Sequence, residues 1–188
     1  IGIGAQRAAD LVSKLLAYSG GGRVVAEPVD LDALVREMVE LLEASVARHC
    51  TLTYTSPGPL PLVETDPTQI RQVVLNLIIN ATEAVDEHGL VTVETGREML
   101  DREALRHMRF GSDVPAGPYV FIDVVDNGHG MNDETLARIF DPFFSTKETG
   151  RGLGMAAVRG IVRSHHAALR VTTAPGQGTR FRVWFPLV

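Results

Sequence analysis

Cysteine is almost missing from this chain of 188 residues: the single Cys50 excludes an intrachain disulfide and fits a reducing compartment. Long apolar runs are missing as well. None approaches the ~20 residues needed to cross a bilayer as a helix, and no charged-then-apolar leader pattern opens the chain. Basic residues are the minority, 18 Lys and Arg against 23 Asp and Glu, for a net charge of −5. That balance gives no electrostatic reason to expect nucleic acid as a partner. No internal repeat or low-complexity tract appears. No Gly-x4-Gly-Lys-Ser/Thr run and no Gly-x-Gly-x-x-Gly occurs, so neither a P-loop nor a dinucleotide fingerprint is present. What remains, 45% hydrophobic residues over this length, suits one globular domain plus an appendage. The first residue is Ile1 rather than Met, and the chain reads as part of a longer protein.

The most informative stretch lies mid-chain, at Asn76-Leu-Ile-Ile-Asn-Ala-Thr-Glu-Ala-Val-Asp86. From Val73 to Ile79 every residue but Asn76 is apolar, the composition of a helix buried on most sides. Asn76 and Asn80 are four apart, so their amides share a face, which Gln72 and Glu83 extend. Burying an unpartnered amide costs about 1–3 kcal/mol, so a buried stripe of two needs a partner. A solvated helix face is the competing explanation of this stripe taken alone.

Glycine-bearing segments follow in order. An apolar strand, Tyr119 to Val125, ends abruptly in Asp126-Asn-Gly-His-Gly-Met131; then come Ile139-Phe-Asp-Pro-Phe-Phe-Ser-Thr-Lys147 and Gly150-Arg-Gly-Leu-Gly-Met155. The last opens into a helical run. Glycines at a helix entrance let backbone N–H groups approach an anion, and the helix dipole favours negative charge there.

Around these segments, residues 1–18 read as an amphipathic helix with Ala8, Leu11, Val12, Leu15, Leu16 and Ala17 on one side, closed by Ser19 and three glycines. Asp30 to His49 reads as a second helix burying Leu34, Met38, Leu41 and Leu42, with Asp30 as its N-cap. Asp66-Pro67 starts the asparagine helix, which should end near Gly89. Strands are predicted at 52–55, 90–96, 119–125, 169–173 and 179–185. Residues 97–117 read as a surface excursion holding a short helix. The fold class is α/β: a two-layer sandwich of a mixed sheet with helices on one face, preceded by the amphipathic helix.

The order Asn-x3-Asn, Asp-x-Gly-x-Gly-Met, Phe-Asp-Pro-Phe-Phe and Gly-x-Gly-Leu-Gly, closed by Gly176-Gln-Gly-Thr-Arg-Phe181, resembles the ATP-binding domain of sensor histidine kinases, in the superfamily shared with DNA gyrase, Hsp90 and MutL. The similarity covers residues 28–188. The resemblance implies a protein-histidine kinase in two-component signalling, with ATP and Mg2+ as cofactors. By it, Asp126 accepts the adenine amine, Gly128 and Gly130 give the ring room, and Thr179 orients adenine through water. Asn80 is the implied metal ligand, and Asn76 supports phosphate or metal-bound water. Gly150, Gly152, Leu153 and Gly154 form the phosphate-binding run, and Lys147 and Arg151 neutralise charge during transfer. Residues 5–18 resemble the end of the second dimerisation helix, with a helix packed on its own domain as the competing explanation; the first reading divides the chain into 1–22, helix and linker, and 23–188, kinase domain. Implied partners are a response regulator or receiver domain and a second copy joined through dimerisation helices. Nucleic acid and membrane contact are not expected of this segment, and the location implied is cytoplasmic.

Two departures from the family pattern stand out. Glu83 replaces a frequent Lys three residues after the metal-binding Asn. Ala167 and Ala168 stand where His-Gly-Gly is common, which should tighten that turn. Phe140, Phe143 and Phe144 read as packing residues that anchor the lid against the domain or its partner helices, and residues 142–151 as a segment that opens easily. None of the six histidines has the setting of a phosphoacceptor, and the adjacent His165 and His166 cannot share a metal face. The hydrolytic branches carry Glu where this chain has Asn76, and an amide cannot take a proton at neutral pH. Phosphotransfer to a histidine on a helix outside these residues is therefore the leading reading. An ATPase switch and a non-catalytic nucleotide-binding module stay open beside it.

Overall fold

The computed structural model describes residues 25–46, 50–146 and 152–187. The helix expected over residues 1–18, its glycine joint, and Lys147, Gly150 and Arg151 lie outside them.

The first helix, α1 (Leu31–Val46), begins where the Asp30 carboxylate accepts the Ala33 N–H at 3.0 Å. It buries Leu31, Leu34, Val35, Met38 and Val39. Leu41, expected on that face, is 66% exposed: it continues the Leu34 row by two turns, but no described residue covers it there. The second helix, α2 (Pro67–Ala84), carries the asparagines. Asp66 caps it, its Oδ1 accepting the Thr68 and Gln69 N–H groups, and Pro67 has no N–H to leave unpaired. The helix stops at Ala84, five residues before Gly89, because Val85 turns extended.

Five strands form the main sheet: β2 (Cys50–Thr55), β4 (Gly89–Leu100), β5 (Gly117–Asp126), β6 (Ala168–Thr173) and β7 (Thr179–Pro186), in the order β2-β4-β5-β7-β6. The β2–β4 pair is parallel and the others antiparallel, so the sheet is mixed, as expected. Alternation splits β5 between two faces. Val120, Ile122 and Val124 point inward with Val91, Val93, Phe181 and Val183, against Val73, Val74, Leu77 and Ile78 of α2 and Val158 and Val162 of α5 (Gly154–Ser164). This is the two-layer core.

The sequence did not announce a small second sheet, β1 (Glu27–Val29) antiparallel to β3 (Val63–Thr65), or the short α4 (Asp133–Arg138). The excursion after β4 is more than a surface loop. The strand itself runs to Leu100, and α3 (Arg102–Arg106) follows. Leu105, Met108 and Val114 then cover Tyr119, Phe121 and Trp184 on the outer face of the sheet, in a second apolar cluster. Where that cover ends, Asp123 is 1% exposed and is held by Arg180 and Arg182 from β7.

At the end of α5 the glycine-like position is His166, not Ala167. His166 has φ 50°, and the Ala167 N–H reaches back to the Val162 carbonyl at 2.9 Å, which closes a Schellman turn. The left-handed backbone of that turn sits at His166, just ahead of the two alanines.

Candidate nucleotide-binding site

Three pieces of chain meet along one side of α2. The first is the loop after β5. Asp126 ends that strand at 5% exposure. Its Oδ1 accepts two backbone N–H groups, from Gly128 at 2.9 Å and from Thr179 at 3.2 Å. Two such bonds hold the carboxylate in one orientation. Asn127 pins the loop to β4, its side chain accepting the Leu90 N–H at 2.8 Å. Side chains are excluded from this loop by contact: a Cβ on Gly128 would lie 2.1 Å from the Ala84 carbonyl, and one on Gly130 (φ 63°) 2.0 Å from the Ala174 carbonyl. The His129 N–H also donates to Ala84 O at 3.0 Å. The Asp126 loop therefore sits on the C-terminal end of α2.

The second piece is the amide stripe itself. Gln72 is buried, Asn76 and Asn80 are half-buried, and Glu83 is exposed. Among the described residues, neither the Asn76 nor the Asn80 side chain has a hydrogen-bond partner. Both half-buried amides are therefore free to engage a ligand or water.

The third piece is the start of α5. A Cβ on Gly154 would stand 2.9 Å from Asn76 Oδ1, so the glycine lets the helix entrance rest on that amide. Gly152, with φ 64°, is packed against the backbone of Phe143 and Phe144, and the Phe143 N–H donates to its carbonyl at 2.9 Å. Leu153 is 46% exposed beside it.

Asn76, Asn80 and Ala84 follow one another at steps of four, spanning about 12 Å of helix axis. The Gly154 entrance lies at one end of this row, the Asp126 loop at the other and Asn80 between them. Of the residues singled out by sequence, the structure gathers Asn76, Asn80, Asp126, Gly128, Gly130, Gly152, Leu153, Gly154 and Thr179 around this row. Nothing is added for Lys147, Gly150 and Arg151, which lie outside the described residues. Phe140 packs on the domain, 2% exposed and edge-on to Phe110 at 4.8 Å. Phe143 is 78% exposed with φ 66°, and no described residue covers it. Phe144 lies under the Arg138 guanidinium at 4.4 Å.

Two residues of the site escaped the sequence reading. Gly178 (φ 71°) has its Cβ direction filled by the Asp126 carbonyl at 2.0 Å, and the Gly-x-Gly-Thr spacing was its only signal. Thr173 carried no motif at all. It is placed by pairing opposite Thr179 in the β6–β7 hairpin.

Comparison with known proteins agrees with this geometry. The sequence profile described as histidine kinase-, DNA gyrase B-, and HSP90-like ATPase matches residues 65–188. Over 184 residues, 97% of the chain, the sequence is 32% identical to sensor histidine kinase ZraS of Escherichia coli O157:H7 and 35% identical to sensor kinase CckA of Brucella abortus (strain 2308). Those matches take up 36% of ZraS and 19% of CckA, so the chain spans about a third or less of the relatives it matches. The nucleotide-free catalytic domain of histidine kinase ThkA superposes with a TM-score of 0.68 at 26% identity, over 86% of this chain and 95% of that one. Full-length ShkA in complex with AMPPNP superposes with a TM-score of 0.71 at 25% identity, over 96% of this chain and 36% of that one. The chain belongs to the histidine kinase-, DNA gyrase B- and HSP90-like ATPase family, and it carries the ATP-binding catalytic domain of a sensor histidine kinase.

Proposed function

We propose that this domain holds ATP with Mg2+ along the Asn76–Asn80–Ala84 row and delivers the γ-phosphate to a histidine imidazole on a helix outside the described residues. The observation that carries the proposal is the row itself, with two unbonded amides between a buried, backbone-clamped carboxylate and a glycine helix entrance.

Asp126 accepts the adenine amine. Gly128 and Gly130 let the Asp126 loop pack closely on the Ala84 and Ala174 carbonyls, which fixes the carboxylate beside the ring, and Thr179 completes the base end. Asn80 offers a neutral amide oxygen to the metal, with Asn76 in support. Mg2+ retains most of its waters and binds few protein groups when phosphate oxygens are present. One or two amides therefore fit it, and a cluster of acidic ligands is not required. When bound, the ion neutralises phosphate charge. Gly150, Gly152, Leu153 and Gly154 present backbone N–H groups to the phosphates, with Lys147 and Arg151 as the cations of that segment. Asn76 cannot abstract a proton from water, so the site favours transfer over hydrolysis.

In the whole protein, residues 1–22 form the end of a dimerisation helix and its linker, and residues 23–188 the kinase domain. Two copies pair through such helices, and a response regulator or receiver domain takes the phosphoryl group. The kinase domain works in the cytoplasm.

Labelled ATP and Mg2+ test the proposal. A full-length kinase carrying an upstream helix with an acceptor histidine should gain acid-labile, base-stable phosphate, and residues 1–188 alone should gain none and release little free phosphate. Sustained phosphate release by the 188 residues alone would instead favour the hydrolytic reading.

A further inference from the structure

Thr173 lies one strand away from the proposed base end and touches no residue of the amide row. Its hydroxyl nevertheless has every bonding position filled. It donates to the Gly178 carbonyl at 2.9 Å, and that direction is forced because a carbonyl can only accept. A hydroxyl has one proton, so Thr173 has none left for its other neighbours. It accepts the Met131 N–H at 2.9 Å. Its remaining lone pair faces Thr179 Oγ1 at 3.1 Å, and with the Thr173 proton on the closer Gly178 carbonyl that contact runs from Thr179 to Thr173.

The consequence falls on Thr179. This residue is 4% exposed, and its single proton is committed toward Thr173. The Thr179 backbone N–H is committed to Asp126 Oδ1 at 3.2 Å. Thr173 and Thr179 are cross-strand partners, as are Asp126 and Thr179, so all three side chains stand on the same face of the sheet. What Thr179 can offer a ligand there is oxygen lone pairs, the same polarity that the Asp126 carboxylate offers. The Gly178 carbonyl orients the whole relay, with both hydroxyl protons pointing away from the ligand side.

We infer that Thr173 is a positioning residue for base selectivity: by taking the Thr179 proton it makes that hydroxyl an acceptor and biases the site toward a purine with a 6-amino group over one with a 6-oxo group. This rests on the proposed placement of adenine at Asp126 and Thr179. A 6-amino group, or a water oriented by it, can donate to both oxygens. A 6-oxo group sets a further acceptor against them, and with only the neighbouring N1–H left to donate one of the two oxygens loses its partner, the kind of mismatch that discriminates in buried polar sites.

The test is ATP against ITP affinity, measured by calorimetry with Mg2+, in the wild type, Thr173→Val, Thr173→Ser and Thr179→Val. Valine keeps the shape but removes the proton acceptor, so Thr179 becomes free to donate. The ATP:ITP affinity ratio should then fall roughly fivefold, the size of one neutral hydrogen bond. Serine keeps the hydroxyl and should keep the wild-type ratio. In a Thr179→Val background, Thr173→Val should change the ratio no further, because the residue through which it acts is gone. A purely structural Thr173 would weaken both nucleotides equally and leave the ratio untouched, and that result in Thr173→Val overturns the inference. A wild type with no preference for ATP over ITP would instead overturn the adenine placement on which the inference stands.

Discussion

Replacing Gly154 by alanine should separate the stability of this domain from its activity. The new Cβ would lie 2.9 Å from Asn76 Oδ1, 3.4 Å from Cγ and 3.8 Å from Cβ. Only the first distance is impossible, and the atom involved is the free end of a half-buried side chain. Relief therefore comes from swinging the amide and not from moving backbone. That adjustment costs about 0.5–1.5 kcal/mol if it forces the amide off its preferred torsion. Alanine in place of glycine at a helix position returns about 0.5–1 kcal/mol. The two nearly cancel, so Tm should move by no more than about 4 °C, at about 2–4 °C per kcal/mol for a domain of this size. Function has no such compensation. An Asn76 amide displaced toward 1 Å from its proposed place beside the phosphates costs on the order of 100-fold in rate. Thermal melts of the domain, paired with phosphotransfer assays of the full-length kinase, give both numbers. Unchanged transfer would refute the role of the Asn76–Gly154 contact. A Tm loss above about 6 °C would show that backbone, not the amide, gives way. Gly152→Ala is the contrast: its φ of 64° and backbone neighbours at 2.4–2.6 Å leave nothing flexible to move, so it should lose stability as well.

Asp126→Asn keeps an acceptor for the Gly128 and Thr179 N–H groups but can set an NH2 against the adenine amine. ATP affinity should fall about 10- to 100-fold, the loss of a hydrogen bond to a charged group, with little change in Tm; equal affinity by calorimetry would sink the adenine assignment. His166→Gly should stabilise the domain by about 0.5–1 kcal/mol, since the exposed histidine holds φ 50° and glycine adopts that conformation without strain; chemical denaturation showing a loss would mean His166 makes a contact worth more than the strain. Burial would raise the Asp32 carboxyl, but the hydroxyls of Ser56, Tyr54 and Thr95 and the Arg36 guanidinium around it hold it far below the usual carboxylate range. Its contribution is therefore present above the unfolded value near pH 4 and is lost progressively as pH falls below it. Urea titrations between pH 5 and 3 should show a steeper loss in the wild type than in Asp32→Asn, and parallel slopes would refute this. The same variant should be about 1–3 kcal/mol less stable at neutral pH, because Tyr54 and Thr95 donate to that carboxylate at 2.5 and 2.8 Å.

Local chemistry was enough to read much of this protein from its sequence. Asp66-Pro67 announces the start of α2, because a carboxylate cap and a residue without an N–H solve the same unpaired-donor problem. The asparagine spacing announces a polar stripe on an otherwise buried helix, because amides four apart share one face. The alternating strands announce the sheet. Tertiary structure alone decided what depends on neighbours distant in the chain. Leu41 and Phe143 are apolar and on pattern, yet exposed, because burial requires an opposing layer that periodicity cannot supply. The residues after β4 look like a polar loop but cover Phe121 and Trp184, because their few apolar side chains meet only after the strand pairs are made. His166, not Ala167, takes the left-handed turn because the position of that turn is set by where the hydrogen bonds of α5 run out. The direction of the Thr179 proton depends on a carbonyl, a second hydroxyl and an N–H drawn from three separate segments, an arrangement that exists only once the hairpin closes over the Asp126 loop.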